Sequence, residues 1–191
     1  MIRIGLTGGI GVGKTYVSKI LQKLEVPVFN SDLEAKHIMS KDKDLISKIK
    51  ESFGNLIYNN NILQKDILSN IVFNNKARLK ELNSLVHPVV SKKFQDWCSN
   101  QDCLFVVKEA AILFETDSYL DLDFIICVSA NRNLVIDRVK NRDKISEEEV
   151  KKRINSQMPQ SQKEDLSDFV IVNDGKQLLL PQIIKVLKEI E

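Results

Sequence analysis

The segment GGIGVGKT, Gly8 to Thr15, constrains this chain more than any other. It meets the spacing G-x-x-x-x-G-K-[ST] with Gly8, Gly13, Lys14 and Thr15. The apolar run Ile2-Arg3-Ile4-Gly5-Leu6-Thr7 precedes it and a helix-patterned stretch follows, which is the strand–loop–helix context a phosphate-binding loop requires. Glycine at 8, 9, 11 and 13 lets the backbone curl around Val12 until successive N–H groups point inward at phosphate oxygens, and the N-terminus of the next helix adds its partial positive charge. Lys14 then reaches the β and γ phosphates and Thr15 offers its hydroxyl to Mg2+, with Tyr16 in the same first turn. A chance match in a chain this long is expected roughly once in a hundred sequences. A dinucleotide loop is excluded, because position 14 holds Lys where G-x-G-x-x-G needs Gly.

At 191 residues the chain suits one sizeable core with a small appended domain. A hydrophobic content of 43% with 28% charged residues is ordinary for a soluble protein, and a net charge of +2 does not favour a nucleic-acid partner. Cys98, Cys103 and Cys127 are an odd number without metal spacing, which reads as reduced thiols. No run approaches a membrane span and the N-terminus lacks a signal-peptide core, so a cytoplasmic protein without a membrane partner is expected; a monomer is the expectation, with an oligomer left open.

Periodicity predicts a helix from about Lys14 to Leu24 and a short strand Val26–Phe29 ending at Asn30-Ser31-Asp32, where Ser31 and Glu34 match a capping box. From Leu33 to about Asn100 the pattern is almost wholly helical, broken at Gly54 and Asn59-Asn60-Asn61. The next strand, Leu104–Glu109, lies too far along for an ordinary crossover, so the intervening stretch reads as an inserted helical domain where a phosphate acceptor would dock. Further strands are expected at Phe124–Val128 and Phe169–Val172, with helices near 131–141, 146–157 and 177–190. Strands alternating with helices predict an α/β fold, a three-layer α/β/α sandwich around a five-stranded parallel sheet.

Phosphoryl transfer needs charge neutralisation, a metal and a group to orient the attacking hydroxyl. Asp32, at the end of the second strand, suits the last task; it also suits the first turn of a helix, as a dipole partner. Glu109 ends the third strand, the usual place for an acid that holds Mg2+ through water, or for a merely solvated glutamate. Arg138, Arg142 and Arg153 have the planar fork that fits phosphate oxygens, and Arg142, before the break at Asp143-Lys144, is the preferred one. His87, before Pro88 in an apolar run, reads from the residues alone as a structural histidine.

Taken together, LTGGIGVGKT, VPVFNSD, the stretch from IVF to LNSLVHPVV, AAILFE, RVKNRD with INSQ, and DFVIVNDG resemble the dephospho-CoA kinase family, in order along nearly the whole chain. The resemblance implies ATP-dependent phosphorylation of the ribose 3′-hydroxyl of dephospho-CoA, with Mg2+, the last step of coenzyme A synthesis. It implies a nucleotide core of residues 1–32 and 91–191, a helical acceptor-binding domain over 33–90 and a lid at about 138–157. Asp32 would orient or deprotonate the acceptor hydroxyl, Lys14 and Arg142 would bind phosphates, His87 and Lys65 would serve the acceptor site, and Asn173 to Gly175 would border the adenine. Asn30, Ala111 and Lys65 stand where the family usually has Asp, Pro and Arg; a lysine in place of a bidentate arginine is expected to weaken the grip on the acceptor. Another small P-loop kinase, such as one for nucleoside monophosphates, would share the loop, lid and insertion. A GTP-dependent switch would need Asn-Lys-x-Asp after the fourth strand, where this chain has Val128-Ser-Ala-Asn-Arg132.

Overall fold

The computed structural model describes residues 1–60, 62–73 and 75–191. In chain order the described elements are β1 (Ile2–Thr7), α1 (Lys14–Lys23), β2 (Val28–Asn30), α2 (Ser31–Lys41), α3 (Lys43–Phe53), β3 (Tyr58–Asn59), β4 (Ile62–Leu63), α4 (Lys65–Phe73) and α5 (Lys76–Cys98). There follow β5 (Phe105–Glu109), β6 (Phe124–Ser129), α6 (Arg132–Asp143), α7 (Glu147–Asn155), α8 (Gln160–Asp165), β7 (Phe169–Val172) and α9 (Leu179–Ile190). They fall into two compact units, Met1–Asn30 with Asn100–Glu191, and Ser31–Ser99. No helix among the described residues is long and apolar enough to cross a membrane.

In the first unit, five parallel strands form a sheet in the order β2-β5-β1-β6-β7. Consecutive residues along the strands are buried, as at Val106-Val107 and Ile125 to Val128, so both faces of the sheet are covered. The helices supply the cover through apolar stripes: Val17 and Leu21 on α1, and Ile183, Val186 and Ile190 on α9. With these residues the buried side chains of β1, β6 and α6 make one contiguous core. β1 is the middle strand, between β5 and β6, so the loop that leaves β1 emerges from the centre of the sheet.

Local chemistry sets the boundaries. Ser146 caps α7 with a full capping box: its hydroxyl accepts the Glu149 N–H while the Glu149 carboxylate accepts the Ser146 N–H. The last helix begins at Leu179, two residues later than expected, because the Asp174 carboxylate accepts the N–H groups of Lys176 and Gln177 and holds them in a turn. β2 runs Val28–Asn30 rather than Val26–Phe29: the Val26 N–H still bonds the α1 carbonyl of Leu21, which delays the strand. The short α8, started by Pro159, is not foreshadowed by periodicity, being barely more than a turn and a half long.

The second unit is mostly helical, with α5 packed against α2, α3 and α4 around Ile38, Ile49, Phe53, Leu68, Leu82 and Val86. Asp42 and Asn75 cap α3 and α5 through their side-chain oxygens. Arg78 lies over the Phe53 ring, 4.2 Å from its centroid, and donates to the Ser52 carbonyl and to Glu81. Two corrections to the sequence reading arise here. The break at Asn59-Asn60 is a hairpin, β3 against β4, so the unit is not wholly helical; Asn61 lies outside the described residues. The capping box expected at Ser31 and Glu34 does not form: Ser31 is already helical, its hydroxyl is buried without a hydrogen-bond partner, and Glu34 faces His37. Residue 90 falls inside α5, a continuous 23-residue helix that carries Pro88.

Ile126 is 1% exposed in a central strand. Ile126→Ala should destabilise the protein by about 3 kcal/mol in a urea titration, through lost burial and a cavity that the sheet cannot close; a loss below about 1 kcal/mol would show this layer to be plastic.

Candidate active site

The loop from Gly8 to Gly13 connects β1 to α1 with positive φ at Gly8, Gly11 and Gly13. All three are closed to any other residue by contact as well as by conformation. A Cβ on Gly8 would lie 2.5 Å from the Val128 carbonyl oxygen, one on Gly11 would lie 2.6 Å from Val139 Cγ2 on α6, and one on Gly13 would collide with Asn173 Nδ2, just past β7. Gly13 is also the N-cap of α1 and has no side chain with which to bond the first-turn N–H groups. The helix therefore presents its donors, with no acid in its first turn, to whatever anion the loop surrounds.

The carbonyl side of the loop is tied down. Lys14 Nζ donates to the Gly8 carbonyl at 2.9 Å and to the Gly9 carbonyl at 3.2 Å. Asn173 Nδ2 donates to the Val12 carbonyl at 2.8 Å, and Arg138 Nη1 to the same oxygen at 3.4 Å. Two loop N–H groups are also engaged: that of Gly9 donates to Gln160 Oε1 and that of Ile10 to Gln157 Oε1, both at 2.9 Å.

Glu109, 6% exposed, lies at the C-terminal end of β5. Its Oε2 accepts the Ser18 hydroxyl at 2.8 Å and Asn30 Nδ2 at 3.1 Å. Ser18 is three residues beyond Thr15 on α1, so the carboxylate meets the side of the helix on which Thr15 stands one turn nearer the loop. A hydroxyl and a carboxylate on one helix side form an oxygen donor set of the kind a hard dication takes.

Beside the loop a cavity of about 810 Å³ is lined by Gly13, Tyr16, Arg138, Asn173, Gly175 and Leu178, among others. It brings together Gly13, Tyr16, Arg138, Asn173 and Gly175 of the residues singled out from the sequence. Arg142 is not among its lining: it grips Asp143 with Nε on Oδ1 at 2.7 Å and Nη2 on Oδ2 at 3.1 Å, while Arg153 Nη1 donates to the same Oδ2 at 2.7 Å. The hydrogen bonds from Arg142 hold the Asp143 carboxyl below the usual range. In the second unit, Asp32 is the exposed second residue of α2, Lys65 the exposed first residue of α4, and His87 a half-buried residue of α5 next to Pro88.

Sequence reasoning missed Gln157, Gln160, Glu115 and Lys163. Gln157 and Gln160 bond residues about 150 positions away, a separation that no local spacing encodes. Lys163 is fully buried, donating to the Ala111 carbonyl at 2.6 Å and Glu115 Oε1 at 2.7 Å; a lysine in a charged stretch gives no sign of that.

The model of the dephospho-CoA kinase family matches residues 2–178. The chain belongs to that family. It is an ATP-dependent kinase, and its activity is that of a dephospho-CoA kinase, the final step of coenzyme A biosynthesis. A dephospho-CoA kinase of Bacteroides fragilis is 36% identical over 187 residues, covering 97% of this chain and 91% of the relative. The crystal structure of TT1252 from Thermus thermophilus superposes with a TM-score of 0.87 at 29% identity, over 100% of this chain and 98% of that one. A dephospho-CoA kinase from Campylobacter jejuni gives a TM-score of 0.68 at 28% identity, over 98% and 96%. The α/β fold with its parallel sheet is thus that of this kinase family.

Gly11→Ala should leave the kinase folded but weaken ATP binding at least tenfold, since a methyl group against Val139 must displace the loop backbone. Isothermal titration with ATP, beside a thermal melt, checks this; unchanged affinity would mean that the loop relaxes freely.

Proposed function

We propose that this kinase binds ATP at the loop Gly8–Thr15 and transfers the γ-phosphoryl group to the ribose 3′-hydroxyl of dephospho-CoA. The observation that carries the assignment of the ATP site is the loop itself: its carbonyls are held by Lys14 and Asn173 while the donors at the N-terminus of α1 carry no side-chain cap. Lys14 exchanges the carbonyls of Gly8 and Gly9 for the β and γ phosphates, moving charge onto the oxygens where it accumulates during transfer. The adenine lies in the cavity beside Tyr16, Asn173 and Gly175. Thr15 and, through water, Glu109 would hold Mg2+, and the oxygen donors on one side of α1 support this; the ion would supply charge neutralisation at the phosphates.

Asp32 orients the acceptor hydroxyl and accepts its proton. In sequence it follows Asn30 by two residues, and Asn30 ends β2 at the carboxyl edge of the parallel sheet, where ligands of open α/β sheets are bound. Arg142 binds phosphate by leaving Asp143, an exchange between two anions of similar geometry, with residues about 138–157 acting as the lid. The helical unit, assigned over 33–90, holds the acceptor, with Lys65 and His87 at its site. Three free thiols accord with a cytoplasmic protein, and a monomer suffices for this chemistry.

Incubation of the purified protein with Mg-ATP and dephospho-CoA, beside a panel of nucleoside monophosphates, and identification of products by mass tests the reading. Coenzyme A and ADP are expected, without phosphorylated nucleotides; the reverse pattern would discard the acceptor. Lys14→Ala should lower kcat by about a hundredfold or more, the usual consequence of losing a preorganised charge at the transferred group. Asp32→Asn keeps the shape and loses the charge, so kcat should fall by about a hundredfold with ATP affinity little changed. If Asp32→Asn alters stability alone, its carboxylate serves the dipole of α2.

A further inference from the structure

The glutamines that reach the loop come from a part of the chain with its own anchorage. Gln157 lies two residues beyond α7, and Gln160 opens α8. Gln160 is oriented at its amide nitrogen, which donates to the Val128 carbonyl at the end of β6 at 3.1 Å and to Glu164 Oε1 at 2.9 Å. The helix that bears it is pinned by Lys163 to the Ala111 carbonyl and to Glu115, and the same Glu115 oxygen accepts the Met158 N–H at 2.9 Å. The segment following β5 thus fixes α8 and the tail of α7, and these present two carbonyl oxygens to Gly9 and Ile10.

We infer that Gln157 and Gln160 are positioning residues of the phosphate loop: by accepting the N–H groups of Gly9 and Ile10 they fix its entry, direct its remaining donors at the triphosphate, and couple it to the α6–α7 arm. The inference rests on the reading of this loop as the ATP site. An amide suits the task for a definite reason. It accepts a hydrogen bond without bringing charge, whereas a carboxylate in the same place would satisfy the N–H and repel the phosphates. With the first two donors engaged by fixed acceptors, the loop cannot swing its outer peptide units to chase an anion, and the donors from Gly11 onward keep one geometry. The arm carrying Arg138, Arg142 and Arg153 ends in Gln157, so a displacement of α7 is felt at the Ile10 amide.

The test uses Gln157→Ala, Gln160→Ala and Gln157→Glu, with Gln162→Ala, an exposed position on α8, as the control. Steady-state kinetics with ATP and dephospho-CoA are combined with amide hydrogen exchange at Gly9 and Ile10 followed by NMR in nucleotide-free protein. Loss of one hydrogen bond should raise KM for ATP about fivefold in each alanine variant. Exchange should quicken at Ile10 in Gln157→Ala and at Gly9 in Gln160→Ala, while KM for dephospho-CoA and the melting temperature change little. Gln157→Glu separates positioning from structural support: it should keep the Ile10 amide protected yet raise KM for ATP. Unchanged KM for ATP and unchanged exchange in both alanine variants would overturn the inference, as would full rescue of KM by glutamate. If Lys14→Ala is inactive while the glutamine variants behave normally, this inference alone fails; if Lys14→Ala retains full turnover, the assignment of the ATP site fails with it.

Discussion

A phosphate loop is backbone held in a shape that it would not keep alone. Here the shape depends on what grips the carbonyls: if the oxygen of Val12 were free to turn inward, the cradle would offer acceptors where an anion needs donors. Asn173, just past β7, and Arg138, on α6, hold that oxygen, and Lys14 holds Gly8 and Gly9 from within the loop. The glycines follow from this arrangement. Gly11 and Gly13 are needed because α6 and Asn173 approach so closely that no side chain fits, so the same packing that orients the loop selects its sequence.

The parallel sheet makes the approach possible. With β1 between β5 and β6, the carboxyl ends of three strands and the ends of β2 and β7 meet along one edge, and Glu109, Asn173 and the loop are delivered there by strand ends rather than by long flexible segments. Glu109 and the loop inherit the rigidity of strands buried on both faces, while Asn173 follows the edge strand β7. Glu109 shows the economy of the arrangement: one oxygen, Oε2, ties α1 through Ser18 and β2 through Asn30, fixing the acid in direction as well as in place. An asparagine at position 30 makes that tie a donor-to-acceptor bond, where a second acid would bring like charges together.

Much of this was legible in the sequence, and what was not shares a physical cause. The loop, the five strands, the insertion and the cap at Ser146 are written in local spacing, which a reader of one chain can see. The hairpin at Tyr58–Leu63 hid because two-residue strands have no period to detect. Ser31 imitated a cap that helix α2 does not use. Arg138 and Arg142 are indistinguishable as arginines on one charged helix, and only packing separates the one that touches the loop from the one that grips Asp143. Lys163 is the extreme case, a charge at zero exposure whose partners, Ala111 and Glu115, lie about fifty residues upstream.

The separation between Val12 and Asn173, 161 positions, has a further consequence for how the molecule comes into being. The motif that identifies the loop is synthesised first, but the residues that give it shape, from Arg138 through Gln157 and Gln160 to Asn173, are synthesised last. Non-local contacts of this kind form only after most of the chain entropy has been lost, so maturation of the nucleotide site is bound to closure of the whole sheet rather than to its first strand. An emerging N-terminal fragment therefore carries the sequence of the loop without its geometry, which is complete only when the final strand has docked.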